Sequence, residues 1–213
     1  MSLRIAAFLA VLGSSAACAP VGGFEMAAPH YFDESLPAVE ASAVRPVVAP
    51  KMRWDHRPNA AVWTQATREA LRDHGYSLVE SEPSDIDEWC PAYRGAPDHQ
   101  RELFWTGLFS AISKYESTYD AKAVGGGGLY HGLVQISPKS ARWHGCEADS
   151  GDELRHGPSN LRCAVRILAQ TSERLGGAAK GVAAMARDWG PMHSASKRAD
   201  MKAWIRERSY CRG

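Results

Sequence analysis

Three observations predict a mainly α fold. Apolar residues recur at i, i+3, i+4 spacing in successive stretches from residue 59 onward, no stretch alternates convincingly with a period of two, and glycines fall where the helical patterns stop. Asn59 stands as a cap before a run carrying Val62, Ala66, Ala70 and Leu71 on one side, with Gly75 beyond it as a stop. The segment DHQRELFWTGLFSAISKY sets Leu103, Phe104, Gly107, Leu108, Ala111, Ile112 and Tyr115 along one buried stripe, with Asp98 after Pro97 as its cap. In NLRCAVRILAQTSERL, Leu161, Ala164, Val165, Leu168 and Leu175 share a side, and Gly176-Gly177 ends the pattern. AAKGVAAMARDW and KRADMKAWIRE predict two shorter helices, so any sheet is minor. Residues 59–213 are enough for one domain with its own core.

The first 58 residues read differently. Arg4 followed by IAAFLAVLG and the small residues Ser15-Ala16-Ala17 has the layout of a signal peptide, residues 1–17. The apolar run is too short for a stable membrane span. Cys18 offers a second processing route, acylation as a lipoprotein, although Ser15 occupies a position where such signals usually carry an aliphatic residue. Residues 18–58 hold prolines at 20, 29, 37, 46, 50 and 58 among Ala, Val and acidic residues, which predicts an extended linker with a reach of roughly 35 Å. The chain is therefore expected in the periplasm, free or anchored to the outer membrane through Cys18.

With 25 basic and 24 acidic residues the net charge is +1, without the basic excess of a dedicated nucleic-acid binder. Beyond Cys18 four cysteines remain, an even number that in an exported chain suggests two disulfides with three conceivable pairings. Cys146–Cys163 would pin the loop after residue 136 to the next helix, and Cys90–Cys211 would tie the start of the core to the C-terminus. Loop closure would make these worth about 3 and about 4–5 kcal/mol. The rival use of Cys146 and Cys163 with His144 and His156 as zinc ligands fits no familiar finger spacing and disagrees with an oxidising compartment.

The chemistry concentrates between Lys114 and Ile136, KYESTYDAKAVGGGGLYHGLVQI. Glu116 ends an apolar helical pattern, where a low dielectric and the negative end of the helix dipole both oppose ionisation. A carboxyl so placed holds its proton towards neutral pH, as a general acid must. A second carboxylate to partner it is hard to find. Asp120 reads as a turn residue, and Asp149, Asp152 and Glu153 as a solvated loop. The run Gly125 to Gly128 predicts either a lid or a tight turn with positive-φ positions.

Glu116-Ser117, followed after a glycine-rich spacer by Gly132-Leu133-Val134-Gln135-Ile136, resembles the lytic transglycosylase (SLT) family, with Val134 where that family's second motif carries Met. The resemblance implies a small lysozyme-like helical domain that cleaves peptidoglycan glycan strands between N-acetylmuramic acid and N-acetylglucosamine. It implies that Glu116 acts first as acid and then as base, so that the C6 hydroxyl closes a 1,6-anhydro ring without a second carboxylate. Ser117 and Gln135 take motif positions expected to orient the carboxyl or bind sugar, and Gly132 allows close backbone approach. Tyr130 is the leading sugar-stacking candidate, ahead of Tyr119, Trp143 and Trp189, while Trp105 and Trp204 read as core.

The family's third motif, Ala-Tyr-Asn-Ala-Gly, is matched only loosely by Ala186-Arg187-Asp188-Trp189-Gly190. Arg187 could pair with Glu116 and lower its pKa. Asp188 is a candidate substrate-binding residue or a hydrolase's second carboxylate, and the plainer alternative is a surface pair beside a core Trp189. The expectation is a monomer acting on peptidoglycan glycan strands, with no cofactor, no metal and no nucleic acid. A water-using muramidase resembling goose-type lysozymes and an inactive wall-binding lipoprotein are the rivals.

Overall fold

The computed structural model describes residues 50–176 and 180–212. The expected signal peptide, Cys18 and most of the 18–58 linker lie outside the described residues, as does Gly177. The linker's end, however, belongs to the fold. Met52 and Trp54 are buried, the Trp54 indole donates to Thr64 Oγ1 at 2.9 Å, and the Arg53 amide donates to Ser110 Oγ at 3.0 Å. An indole with its N–H satisfied is worth burying, so the folded domain begins before residue 59.

The described residues form helices α1 (Ala60–Arg72), α2 (Tyr76–Glu80), α3 (Ile86–Trp89) and α4 (Asp98–Glu116), then strands β1 (Val124–Gly125) and β2 (Tyr130–His131). Helices α5 (Pro138–Trp143), α6 (Gly151–Leu154), α7 (Gly157–Arg174) and α8 (Val182–Met185) follow, then a 3₁₀ turn at Gly190–His193, α9 (Ala195–Arg206) and α10 (Ser209–Arg212). The fold is mainly α, as the spacing predicts. β1 and β2 form one antiparallel hairpin that pairs Val124 with His131 and Gly125 with Tyr130. Its loop contains Gly126, Gly127 and Gly128 with φ of 57°, 66° and 97°, so the glycine run is a tight turn.

Two expected caps do different work. Asn59 occupies the N-cap of α1 without a side-chain cap bond. Asp98 lies inside α4, with Pro97 at the N-cap, and its carboxylate accepts from the Tyr76 hydroxyl at 3.0 Å. Val62 is 54% exposed, and the buried side of α1 is Trp63, Ala66, Thr67, Ala70 and Leu71, which packs chiefly on α7.

Helix α4 departs furthest from its expected stripe. It is buried on every side from Glu102 to Ser113, because α1, α2, α9 and α10 all pack on it. Its hydroxyls turn back on their own helix. Thr106, Ser110 and Ser113 donate to the carbonyls of Glu102, Gly107 and Phe109 at 2.8, 2.7 and 2.9 Å, so they enter the core without unpaired donors. Buried Glu102 is held by Arg68 at 3.0 Å and Arg72 at 2.8 Å, the pairing that a carboxylate in the core requires.

Both disulfides are present, Cys90–Cys211 and Cys146–Cys163. The second uses two of the four residues that a zinc site would have needed. The first closes a loop around α4 to α9, and the second fastens the turn after α5 to α7.

Candidate active site

Glu116 is the last residue of α4, and the chain reverses immediately after it. Thr118 and Tyr119 take left-handed conformations, with φ of 52° and 61°, and no glycine is present to relieve them. The Ser117 and Tyr119 amides both donate to the Ser113 carbonyl, at 3.1 and 3.3 Å, closing the helix end. Two consecutive non-glycine residues in this region store backbone strain beside the carboxyl, which must be held by the surrounding packing.

The Glu116 carboxyl is largely withdrawn from water. Burial pushes its pKa up from 4.5 to about 7, while the Lys197 ammonium on α9 and the Gly190 backbone amide pull the other way. A methyl group at Gly190 would lie 3.8 Å from Glu116 Oε1, so the backbone approaches the carboxyl closely there. The charge that acts on Glu116 is therefore Lys197. Among the described residues Arg187 makes no ion pair with it: Arg187 is exposed, and its carbonyl is the partner of His193 Nε2 at 2.6 Å.

The second motif is fixed through its backbone. Ser117 Oγ donates to the Leu133 carbonyl at 2.8 Å, and the buried Trp189 indole donates to the Val134 carbonyl at 3.0 Å. Asn160, fully buried in α7, accepts from the Val134 amide at 3.0 Å and donates to the His131 and Leu154 carbonyls at 2.9 and 3.0 Å. Gln135 stands at φ 50°, and its side-chain amide donates to the Gly132 and Ala123 carbonyls at 2.9 and 3.3 Å. The donor groups of Ser117 and Gln135 are thus directed at protein carbonyls, where they brace the loop.

Gly132 is required by shape. Its φ is 83°, and a Cβ there would meet the Leu154 carbonyl at 2.1 Å and Asn160 Nδ2 at 2.4 Å. Gly132→Ala combines left-handed strain with a clash against rigid backbone. We expect it to lower stability by about 3 kcal/mol, read as a shift of the urea unfolding midpoint, and an unchanged midpoint would contradict this packing.

Tyr130 on β2 is 45% exposed, and its ring lies over the Gly126 turn. Tyr119 and Trp189 are buried, with Tyr119 against His56 and Trp189 edge-on to Phe109, so both serve packing rather than a sugar platform. Trp105 is fully buried, as expected, while Trp204 is only partly buried and is flanked by Arg53 and Arg208. Asp120 closes its turn, accepting from the Lys122 amide at 2.9 Å. Glu153 forms a capping box with Ser150 at the start of α6. Asp188 is exposed and accepts from the Thr171 hydroxyl on α7 at 2.6 Å, so it is neither the surface partner of Arg187 nor a second carboxylate held against Glu116.

Asn160 and Lys197 are the site residues that local sequence patterns miss. An asparagine within the apolar side of a helical pattern is the one signal that pointed towards Asn160. Lys197 reaches the site only through the packing of α9 on α4.

Residues 98–204 match the family described as the Transglycosylase SLT domain. The fold is similar to the solved structure of wild-type Bd0314 DslA in its form 2, with a TM-score of 0.63 and 26% identity over 74% of this chain and 95% of that one. Two DslA mutants, each with one glutamate changed to glutamine, give TM-scores of 0.64 at 26% identity and span 95% and 97% of those chains. No curated protein matches the chain.

Proposed function

The chain belongs to the transglycosylase SLT family, and from that premise we propose that it is an exported lytic transglycosylase that cleaves peptidoglycan between N-acetylmuramic acid and N-acetylglucosamine. The observation that carries this reading is Glu116, a carboxyl whose pKa burial raises to about 7, with a lysine rather than a second carboxylate as the charge acting on it. Near neutral pH such a group donates a proton to the leaving glycosidic oxygen. The resulting carboxylate then takes the proton of the C6 hydroxyl, whose oxygen attacks the anomeric carbon of the same sugar. A 1,6-anhydro end forms, and no water is consumed. Tyr130 offers an exposed ring for the strand, while Ser117, Gly132 and Gln135 set the shape of the loop. The two disulfides favour export to an oxidising compartment.

Digestion of purified peptidoglycan followed by product mass analysis tests the mechanism. Anhydro ends, lighter than reducing ends by one water, are the expected product. Reducing ends alone would replace the transglycosylase with a hydrolase, and no release at all would leave the chain a binding protein.

A further inference from the structure

Of the chain's seven tryptophans, Trp143 is 68% exposed, whereas Trp54, Trp63, Trp89, Trp105 and Trp189 are buried. Trp143 ends α5, the helix that follows the second motif, and it is held rather than left loose. The Arg174 guanidinium lies 4.3 Å from its ring centroid, and the His144 ring meets it at 90° and 4.6 Å. His144 is in turn fixed by Gln170, through Nδ1 at 2.9 Å and through its carbonyl at 3.2 Å. An indole that is mostly open yet fixed in orientation has already lost the freedom that ligand stacking would otherwise remove. Beside it lies an open depression of about 620 Å³ lined by Ser137, Lys139, Ser140, Arg142 and Trp143, an aromatic floor with a hydroxyl and cationic rim.

This arrangement reaches back to the altered third motif. Asp188 accepts the Thr171 hydroxyl proton at 2.6 Å, Thr171 Oγ1 accepts from Arg174 Nη2 at 3.1 Å, and Arg174 covers Trp143. Two residues beyond Asp188, the Gly190 backbone approaches Glu116. A chain of contacts therefore joins the catalytic carboxyl to the exposed indole. The aspartate matters to its polarity. Its Oδ2 accepts from the Thr171 hydroxyl, which leaves that hydroxyl's lone pairs for Arg174.

We propose that Trp143 is a second sugar platform, taking a pyranose ring of the same acidic glycan strand that Glu116 cuts, with Lys139 and Arg142 meeting carboxylates on the strand. Asp188 is a positioning residue that sets Arg174 on the ring. The proposal rests on the reading of the chain as a peptidoglycan enzyme. The apolar face of a pyranose stacks on an indole, and the cationic rim concentrates a polyanion near it.

The test separates binding from cleavage. In a Glu116→Gln protein, which binds without cutting, Trp143→Ala should weaken co-sedimentation with insoluble peptidoglycan about tenfold, and Trp143→Phe by about threefold or less. Asp188→Ala should cost about threefold, whereas Asp188→Asn, which can still accept from Thr171, should retain most binding. In the active enzyme the Trp143→Ala loss should fall on KM for insoluble peptidoglycan more than on kcat. Soluble glycan fragments should shield the tryptophan fluorescence of the Glu116→Gln protein from acrylamide, and that shielding should vanish in Trp143→Ala. Undiminished sedimentation of Trp143→Ala overturns the platform. Should that variant fail to fold, acrylamide quenching indifferent to the fragments overturns it instead. If the unmutated enzyme releases no fragments while the binding results hold, the enzymatic reading falls and the platform stands.

Discussion

Glu116→Gln is expected to lower the release of soluble glycan fragments by about 10²–10⁴-fold, the usual worth of a positioned general acid and base. The carboxamide keeps the shape of the side chain and removes its proton, so the loss should be in kcat. The pH dependence follows from the same group. With a folded-state pKa of about 7, Glu116 is protonated and competent as an acid below neutrality, and the rate should fall towards tenfold per unit as pH rises above about 7. Stability carries the matching sign. The folded-state pKa lies above the ordinary 4.5, so the folded chain binds more protons than the unfolded chain between those values, and stability is lost as pH rises from 4.5 through 7. Glu116→Gln removes that loss. The variant should match the parent in an acid melt and exceed it at pH 8, a gain in stability at the position where activity is destroyed. Equal melting at pH 8 would mean that the carboxyl is not held in its neutral form.

Glu116 could be found in the sequence because its signal is local: one carboxylate at the end of an apolar helical run, with the dense second motif following in the same stretch between Lys114 and Ile136. The glycine run is legible only as a lid or a tight turn, and the positive φ values of Gly126, Gly127 and Gly128 select the turn. What escaped was set by partners distant along the chain. The period of α4 is legible, but its burial on all sides depends on α9 and α10, and its serines and threonine look polar until their hydroxyls are seen to fold back on the helix. Asn160 holds Val134 across 26 residues, and although its place on the apolar side of α7 signals burial, nothing within the helix names its partners. Asp188 was visible as a departure from the family's third motif. Only the packing of that segment on α7 shows its carboxylate turned to Thr171. The N-terminal edge of the fold is set in the same way, since Trp54 lies in a proline-rich stretch and only the contact of its indole with Thr64 shows it buried.

The second large effect concerns the disulfides. Cys90 and Cys211 lie 121 residues apart, and loop-closure entropy makes their bond worth about 5 kcal/mol, against about 3 kcal/mol for Cys146 and Cys163 at a separation of 17. Together they rival the 5–15 kcal/mol by which a domain is typically stable. Cys90→Ser with Cys211→Ser should therefore lower unfolding stability more than Cys146→Ser with Cys163→Ser, and reductant should lower the melting temperature of the parent. The reverse order would show that local packing around Cys146, not chain closure, dominates. The long bond also bears on the site. Cys90 precedes α4 and Cys211 lies in α10, which packs on α4, so the bond fastens the closing helix against the helix that ends in Glu116. Loss of that bond should loosen the burial on which the raised pKa depends, moving the high-pH fall of the rate profile down from about 7 towards 4.5 in whatever fraction still folds. A profile that keeps its fall near pH 7 in the Cys90→Ser, Cys211→Ser protein would separate the two, leaving the bond to stability alone.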